Sequence, residues 1–236
     1  MVFGTVTDKF AAEAKNLDYT MTHIIPHYDE MLTQLVEILP FSPTDEISVI
    51  DLGCGTGTIG QKILKKYPKA KLTCIDFSEA MLAMAKQKIG ENAIYQQADF
   101  HQFDFSQPYH AIVSSLALHH LKTNQDKQNF YHKIYQALLP GGVYLNAENV
   151  KSEATHLHEA DIAAWKKFMQ KTYSDEEIEK KWLAGYYEDD YPISLAQHFQ
   201  MMQQANFSII DAPYKYHNFA LLYGQKVEKN QEIKEK

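Results

Sequence analysis

The sequence predicts an α/β fold built on a doubly wound parallel sheet, and three observations carry that prediction. Short apolar runs alternate with helical patterns between residues 48 and 146, as expected for strands joined by helical crossovers. The first run, Ser48–Leu52, ends in an acid and three alternate glycines, Asp51-x-Gly53-x-Gly55-x-Gly57, with a helical pattern directly behind. Two further strand patterns, Ser208–Tyr214 and Phe219–Gln225, are joined by a short link and predict a closing antiparallel hairpin.

In chain order, a short helix is expected over Asp8–Lys15. Apolar residues then recur at helical spacing from Ile24 to Leu39, with Pro26 in the first turn and Pro40 as the stop. Residues 1–45 therefore read as a helical cap. Strand Ser48–Leu52 leads to helix Thr58–Lys66. Strand Leu72–Asp76 leads to helix Ser78–Ile89, with Ser78 as N-cap. Strand Ile94–Ala98 leads to Asp99, and strand Ala111–Ser114 leads to the turn Ser115–His120. Helix Lys127–Leu138 stops at Pro140-Gly141-Gly142, and strand Val143–Asn146 follows. Residues 150–192 break the alternation with two helices, Ala154–Lys171 and Asp175–Leu183, and a tyrosine-rich loop, Gly185–Pro192. An insertion there would cover the C-terminal edge of the sheet, so it reads as a lid. Helix Ser194–Ala205 returns to the core, which spans 46–149 and 193–226. The charged tail 227–236 is expected to be disordered.

The glycine turn admits two ligand classes. Gly55-x-Gly57-x-x-Gly60 also fits a dinucleotide fingerprint, with Asp76 about twenty residues on as a ribose acid. Against that, the glycine run starts directly off the strand, and Asp51 would repel a pyrophosphate. A cation would be attracted. S-adenosylmethionine (SAM) carries an ammonium and a sulfonium, so Asp51 suits it better than it suits a dinucleotide.

Composition narrows the partners. Net charge is −7, and all 23 basic residues are lysine. Phosphate neutralisation dominates nucleic-acid affinity, and arginine is its preferred bidentate reader. No direct nucleic-acid binding is therefore expected. Cys54 and Cys74 suggest neither a disulfide nor a metal site, which points to a reduced, cytoplasmic setting. The sequence has no run of eighteen apolar residues and no signal-like apolar region, so no membrane partner is expected.

Together, Asp51-x-Gly53-x-Gly55-x-Gly57, the acids Asp76 and Asp99 after the second and third strands, Leu139-Pro140-Gly141-Gly142 and the final hairpin resemble the class I SAM-dependent methyltransferases. The resemblance covers about 48–148 and 194–225. It implies a Rossmann-like seven-stranded sheet with the last strand antiparallel, SAM as cofactor and methyl transfer to a small-molecule acceptor; a homodimer is left open. Ile25-Pro26-x-Tyr28, Tyr173-Ser174-Asp175-Glu176-Glu177-Ile178 and Phe219 look like the carboxy-SAM synthase branch and related small methyltransferases. In that synthase an arginine after the lid motif holds the added carboxylate. Here Trp182, beside Lys181, takes its place, and Ser115 replaces an asparagine after the fourth strand. Both departures point away from carboxy-SAM as ligand. A SAM-binding partner subunit without turnover is a further alternative.

The expected cofactor residues are thus Tyr28, Asp51, Gly53, Gly55, Gly57, Asp76, Phe77, Met81, Asp99, Phe100 and Ser115. Asp76 would accept the ribose hydroxyls, Phe77 and Met81 would flank the adenine, and Asp99 would take its amino group. Tyr28 would close over the methionine moiety, or be plain helix core. His119 and His120 stand where a general base would sit. They compete with a reading in which the pair has no catalytic part, because an activated sulfonium needs alignment more than proton transfer. Tyr186, Tyr187, Tyr191 and Trp182 are candidates for an acceptor pocket, with lid packing as the plainer reading. His156-x-His158 near Asp161 suggests a metal only off a helix, where such a pair diverges by about 200°; no metal site is expected.

Overall fold

The computed structural model describes residues 16–99 and 102–227. The expected helix Asp8–Lys15, Phe100 and most of the tail lie outside the described residues. Helices α1 (Leu17–Ile24) and α2 (Tyr28–Glu37) precede β1 (Ser48–Leu52). Then come α3 (Thr58–Lys66), β2 (Lys71–Asp76), α4 (Glu79–Ile89), β3 (Ala93–Gln97), β4 (Tyr109–Ser115), α5 (Asn124–Ala137) and β5 (Leu138–Asn149). The sheet has seven strands in the order β3-β2-β1-β4-β5-β7-β6, where β6 is Ile209–Tyr216 and β7 is Phe219–Gln225. β1 to β5 run parallel, and β7 is antiparallel to both β5 and β6. The fold class expected from the alternation is therefore the one observed, with the order reversing between β1 and β4. In such sheets that reversal opens a crevice at the strand ends.

The central strands are buried on both faces, which is why their sequences read as apolar runs rather than alternations. On one face Val49, Val113, Leu145 and Leu221 join Met31, Leu32, Leu35 and Ile63 of the cap and α3. On the other, Ile50, Leu52, Ile112 and Tyr144 pack against Phe130, Ile134 and Met202.

Several expected boundaries are corrected. The helix expected over Ile24–Leu39 starts only at Tyr28, and a helix not expected, Leu17–Ile24, precedes it. Pro26 drives Ile25 out of the helical region to φ −106°, ψ 115°, and His27 takes a left-handed φ of 56° before α2 restarts at Tyr28. The fifth strand begins at Leu138 rather than Val143. Leu139–Gly142 is absorbed as an irregularity between the pairs Tyr109↔Leu138 and Ala111↔Val143. A Cβ on Gly142 would sit 2.8 Å from the Leu139 carbonyl oxygen, which explains the glycine.

In the insertion, α6 (Thr155–Met169) is followed by a helical turn, α7 (Asp175–Glu177), capped by Ser174 and Glu177 in a capping box. A π-helical stretch then runs over Ile178–Leu183, and the expected tyrosine loop is helical as α8 (Ala184–Asp189). Gly185 does not break it, because Tyr186 gains burial against Trp165, ring centroids 5.5 Å apart. Helix α9 (Leu195–Gln204) has Ser194 as its N-cap. The insertion is joined firmly to the cap: Trp165 Nε1 donates to the Ile24 carbonyl at 2.6 Å and its ring packs on Phe219.

Candidate active site

At the C-terminal ends of β1, β2 and β4 lies a cleft of about 840 Å³, part of it open to solvent. One wall is the turn after β1. Gly53 (φ 69°) and Gly57 (φ 82°) hold left-handed conformations that favour glycine. A Cβ on Gly53 would also stand 2.6 Å from that of Ala117 across the cleft. Gly57 is the N-cap of α3 and lies behind the lining; Gly53 and Gly55 are in it.

Asp51 sits at the cleft floor, 1% exposed, because β1 is central in the sheet. Neither of its carboxylate oxygens has a hydrogen-bond partner. Burial, then the negative charge of Asp76, pushes its pKa up to about 7; the Gly60 amide tempers this without reaching hydrogen-bond geometry. A buried carboxylate left this way is costly unless a cation meets it.

Asp76 ends β2 and braces the turn. Its Oδ2 accepts from the Gly55 N–H and its Oδ1 from the Ser78 N–H, both at 2.9 Å. Burial raises its pKa, and these backbone donors hold the rise in check. Each oxygen has a further lone pair for a ligand hydroxyl.

Tyr28, Phe77, Met81, Ser115 and His120 also line the cleft. Asp99, half-buried beyond β3, is not in the lining. Sequence reading missed the contribution of α1, where Leu17, Asp18 and Met21 form part of the wall. Asp18 accepts from Thr56 Oγ1 (2.5 Å), Thr58 Oγ1 (3.1 Å) and Lys88 Nζ (2.6 Å), so it pins the cap to the glycine turn. Burial opposes its charge, but the hydrogen bonds from Lys88 and Thr56 hold its pKa below the usual value. The two threonines inside the glycine motif were the available signal.

Beyond the Ser115–His120 turn lies a second, buried polar cluster. His119 Nδ1 is 2.6 Å from Glu148 Oε1, and its Nε2 is 3.6 Å from Asp190 Oδ1. Glu148 is fully buried. It also accepts from Asn146 Nδ2 (3.0 Å) and the Asn149 N–H (2.8 Å). Burial works against charge on His119, yet Asp190 and Glu148 outweigh it and lift its pKa to about 8. Burial likewise opposes Glu148, and the His119 charge brings it down to about 2. His120 goes the other way, to about 3, through burial and the neighbouring His119. Lys127 is buried beneath this cluster and donates to the Leu121 carbonyl.

The four aromatic acceptor candidates do not line the cleft. Tyr186 is buried against Trp165 and Tyr187 is 64% exposed. Tyr191 donates its backbone N–H to the His119 carbonyl, and Trp182 packs on Tyr173. Their packing follows from the helical course of 175–189. His156 and His158 lie on α6, where the pair diverges, while Asp161 is engaged by Ser152 and His217.

Residues 49–142 match the methyltransferase domain family. A carboxy-S-adenosyl-L-methionine synthase of Trichodesmium erythraeum is 31% identical over 221 residues, covering 89% of this chain and 85% of that protein. The synthase of the same name from Nautilia profundicola is 29% identical, over 88% of this chain and 89% of that protein. Human N-acetylserotonin methyltransferase in complex with SAM shares the fold, with TM-score 0.62 and 16% identity over 94% of this chain and 57% of that one. Identity at the first of these levels across most of both lengths is decisive. The chain belongs to the class I SAM-dependent methyltransferases, and its cofactor is SAM.

Proposed function

We propose that the chain transfers the SAM methyl group to a small-molecule acceptor that enters between the Ser115–His120 turn and the cap. The observation that carries this is Asp51, a buried carboxylate without a hydrogen-bond partner on the floor of the cleft. With Asp76 it gives the lining two carboxylates and no lysine, the third acid of the lining, Asp18, being paired with Lys88. That charge suits the ammonium and sulfonium of SAM. In this reading Asp51 faces the cationic methionine end, Asp76 takes the ribose, and Phe77 and Met81 hold the adenine. The sulfonium supplies the activated methyl. Tyr28, Ser115 and His120 then orient the acceptor and exclude water.

The relatives named as synthases motivate a second reading, in which SAM is converted to carboxy-SAM. That product carries an additional carboxylate and needs a cation beside it. Lys181 is exposed, its Nζ 4.4 Å from the Trp182 ring centroid, and it is not in the lining. The acid-rich cleft therefore favours methyl transfer. No helix among the described residues is long and apolar enough to cross a membrane. The free cysteines Cys54 and Cys74 support a cytoplasmic setting, and the acidic, arginine-free composition supports an enzyme without direct nucleic-acid binding.

The test is incubation with SAM and panels of small hydroxyl, amine, thiol and carboxylate acceptors, with parallel reactions that also contain small carboxylic acids able to give up CO2 as the carboxyl donor, followed by mass spectrometry. Production of S-adenosylhomocysteine with a methylated small acceptor supports the proposal. Appearance of carboxylated SAM in its place overturns it in favour of the synthase reading.

A further inference from the structure

His119, His120 and Asp190 place their ligand atoms within 4.8 Å of one another at the edge of the SAM cleft. The sequence concealed this group, because Asp190 arrives from the far end of the insertion. We propose that it is a binding site for a four-coordinate divalent cation of the zinc class, with two imidazoles and one carboxylate as protein ligands and its fourth position toward the cleft.

The spacing supports a cation better than a hydrogen-bonded triad. Asp190 Oδ1 is 3.6 Å from His119 Nε2 and 3.4 Å from His120 Nδ1, long for hydrogen bonds. Around a tetrahedral zinc with bonds of about 2.0–2.1 Å, neighbouring ligand atoms stand about 3.3–3.4 Å apart. Two edges of the triangle are thus close to their metal-bound length. The Asp189 carbonyl oxygen, 3.4 Å from the same His120 nitrogen, accepts from it when that nitrogen carries the proton, so ligation requires the other tautomer.

The surroundings have the form of a metal site's supporting shell. A ligating histidine usually gives its other nitrogen to a carboxylate, which fixes the ring and strengthens it as a ligand. Glu148 does this for His119 at 2.6 Å, and is itself held by Asn146 and the Asn149 N–H. Three protein ligands with one position left open is the arrangement of catalytic rather than structural zinc.

The role of the ion rests on the methyl-transfer reading above. An acceptor R–XH coordinated through X would release its proton to solvent. X would then bond to the methyl carbon as the carbon–sulfonium bond breaks, the sulfur keeping the electron pair as a neutral thioether. The ion itself is unchanged.

Chelator-treated full-length protein should be titrated with Zn²⁺ by calorimetry and with Co²⁺ by visible absorption, alongside separate SAM titrations of the metal-free protein. One ion per chain is expected, with the strong visible bands of four-coordinate cobalt. His120→Asn and Asp190→Asn should each weaken binding at least tenfold. Glu148→Gln, which leaves all three ligands, should weaken it by about 10–100-fold. Circular dichroism and melting of His120→Asn, the most exposed ligand, separate lost ligation from lost folding. No saturable binding, or wild-type affinity in the His120 and Asp190 variants, overturns the site. A protein that binds SAM and fails to bind either metal would sink this inference alone; one that binds metal and fails to bind SAM would sink the cofactor placement alone.

Discussion

Asp51→Asn should make the empty protein more stable and a poorer SAM binder. Burial and the charge of Asp76 hold the Asp51 pKa at about 7, against an ordinary 3.8. At about 1.4 kcal/mol per pH unit, that gap corresponds to about 4 kcal/mol. The sign follows from proton counts. Between pH 4 and 7 the folded chain keeps the Asp51 proton and the unfolded chain has lost it, so stability falls as pH rises through this window. Asparagine does not ionise. Its buried amide lacks partners too, at a cost of about 1–3 kcal/mol that does not vary with pH. The variant's advantage should therefore grow by about 2–3 kcal/mol between pH 5 and 7.5. Urea unfolding of ligand-free protein at the two pH values measures this. An advantage that stays constant or shrinks with pH would refute the reasoning. SAM binding should show the linked effect. Wild-type affinity should rise about fivefold from pH 6 to 7 as the carboxylate ionises, and the variant should show no such rise.

Asp76→Ala should weaken SAM binding by about ten- to a hundredfold, as expected for hydrogen bonds to a charged group; unchanged affinity by calorimetry would remove Asp76 from the site. Gly53→Ala should destabilise by at least ~1–2 kcal/mol from the left-handed backbone alone, and weaken SAM binding as its Cβ collides with that of Ala117 in the cleft lining; a melting curve and calorimetry check both. Purified protein should not methylate bulk tRNA at physiological salt with turnover comparable to that on any small acceptor. Hydrogen exchange should show residues 150–192 more protected with SAM and acceptor than in the empty protein, and no gain would argue against a lid.

What could be read from the sequence was whatever depends on local pattern. The strands β1 and β7 and helix α3 fall where apolar runs and glycine punctuation put them. Ser78 caps α4 as expected, accepting from the Met81 N–H. The cleft residues on the glycine turn and at the end of β2 were legible because a parallel sheet's strand ends converge whatever surrounds them. Long-range placement was not. Nothing local to Leu17, Asp18 and Met21 tells that α1 folds back onto Thr56 and Thr58. The tyrosines of α8 looked like a loop because Gly185 and Pro192 flank them. Burial of Tyr186 against Trp165, a residue of a different helix, decided otherwise.

The Ser115–His120 turn joins the two halves of the site. Leu116 holds a left-handed φ of 51°, and its N–H donates to the Ala147 carbonyl of β5 at 2.8 Å. A branched-chain residue in that region is strained unless its surroundings enforce it. The strain has a geometric consequence. Ser115, Leu116, Ala117 and His120 face the cleft, while the intervening His119 turns its Nδ1 into Glu148. The two adjacent imidazoles thus leave the turn in different directions, His119 Nδ1 to Glu148 and His120 to the cleft, while both stay within reach of Asp190, with ring centroids 4.2 Å apart. Tyr191 ties the same turn to the insertion through the His119 carbonyl at 2.9 Å, and Asp190 is the next residue along. Any movement of residues 184–192 must carry Asp190 relative to both imidazoles. The His120 side of the cleft and the buried Glu148–His119 pair are therefore coupled through one short segment. Perturbing Tyr191 should register at His119 before it registers at Asp51 or Asp76, which are held by β1 and β2.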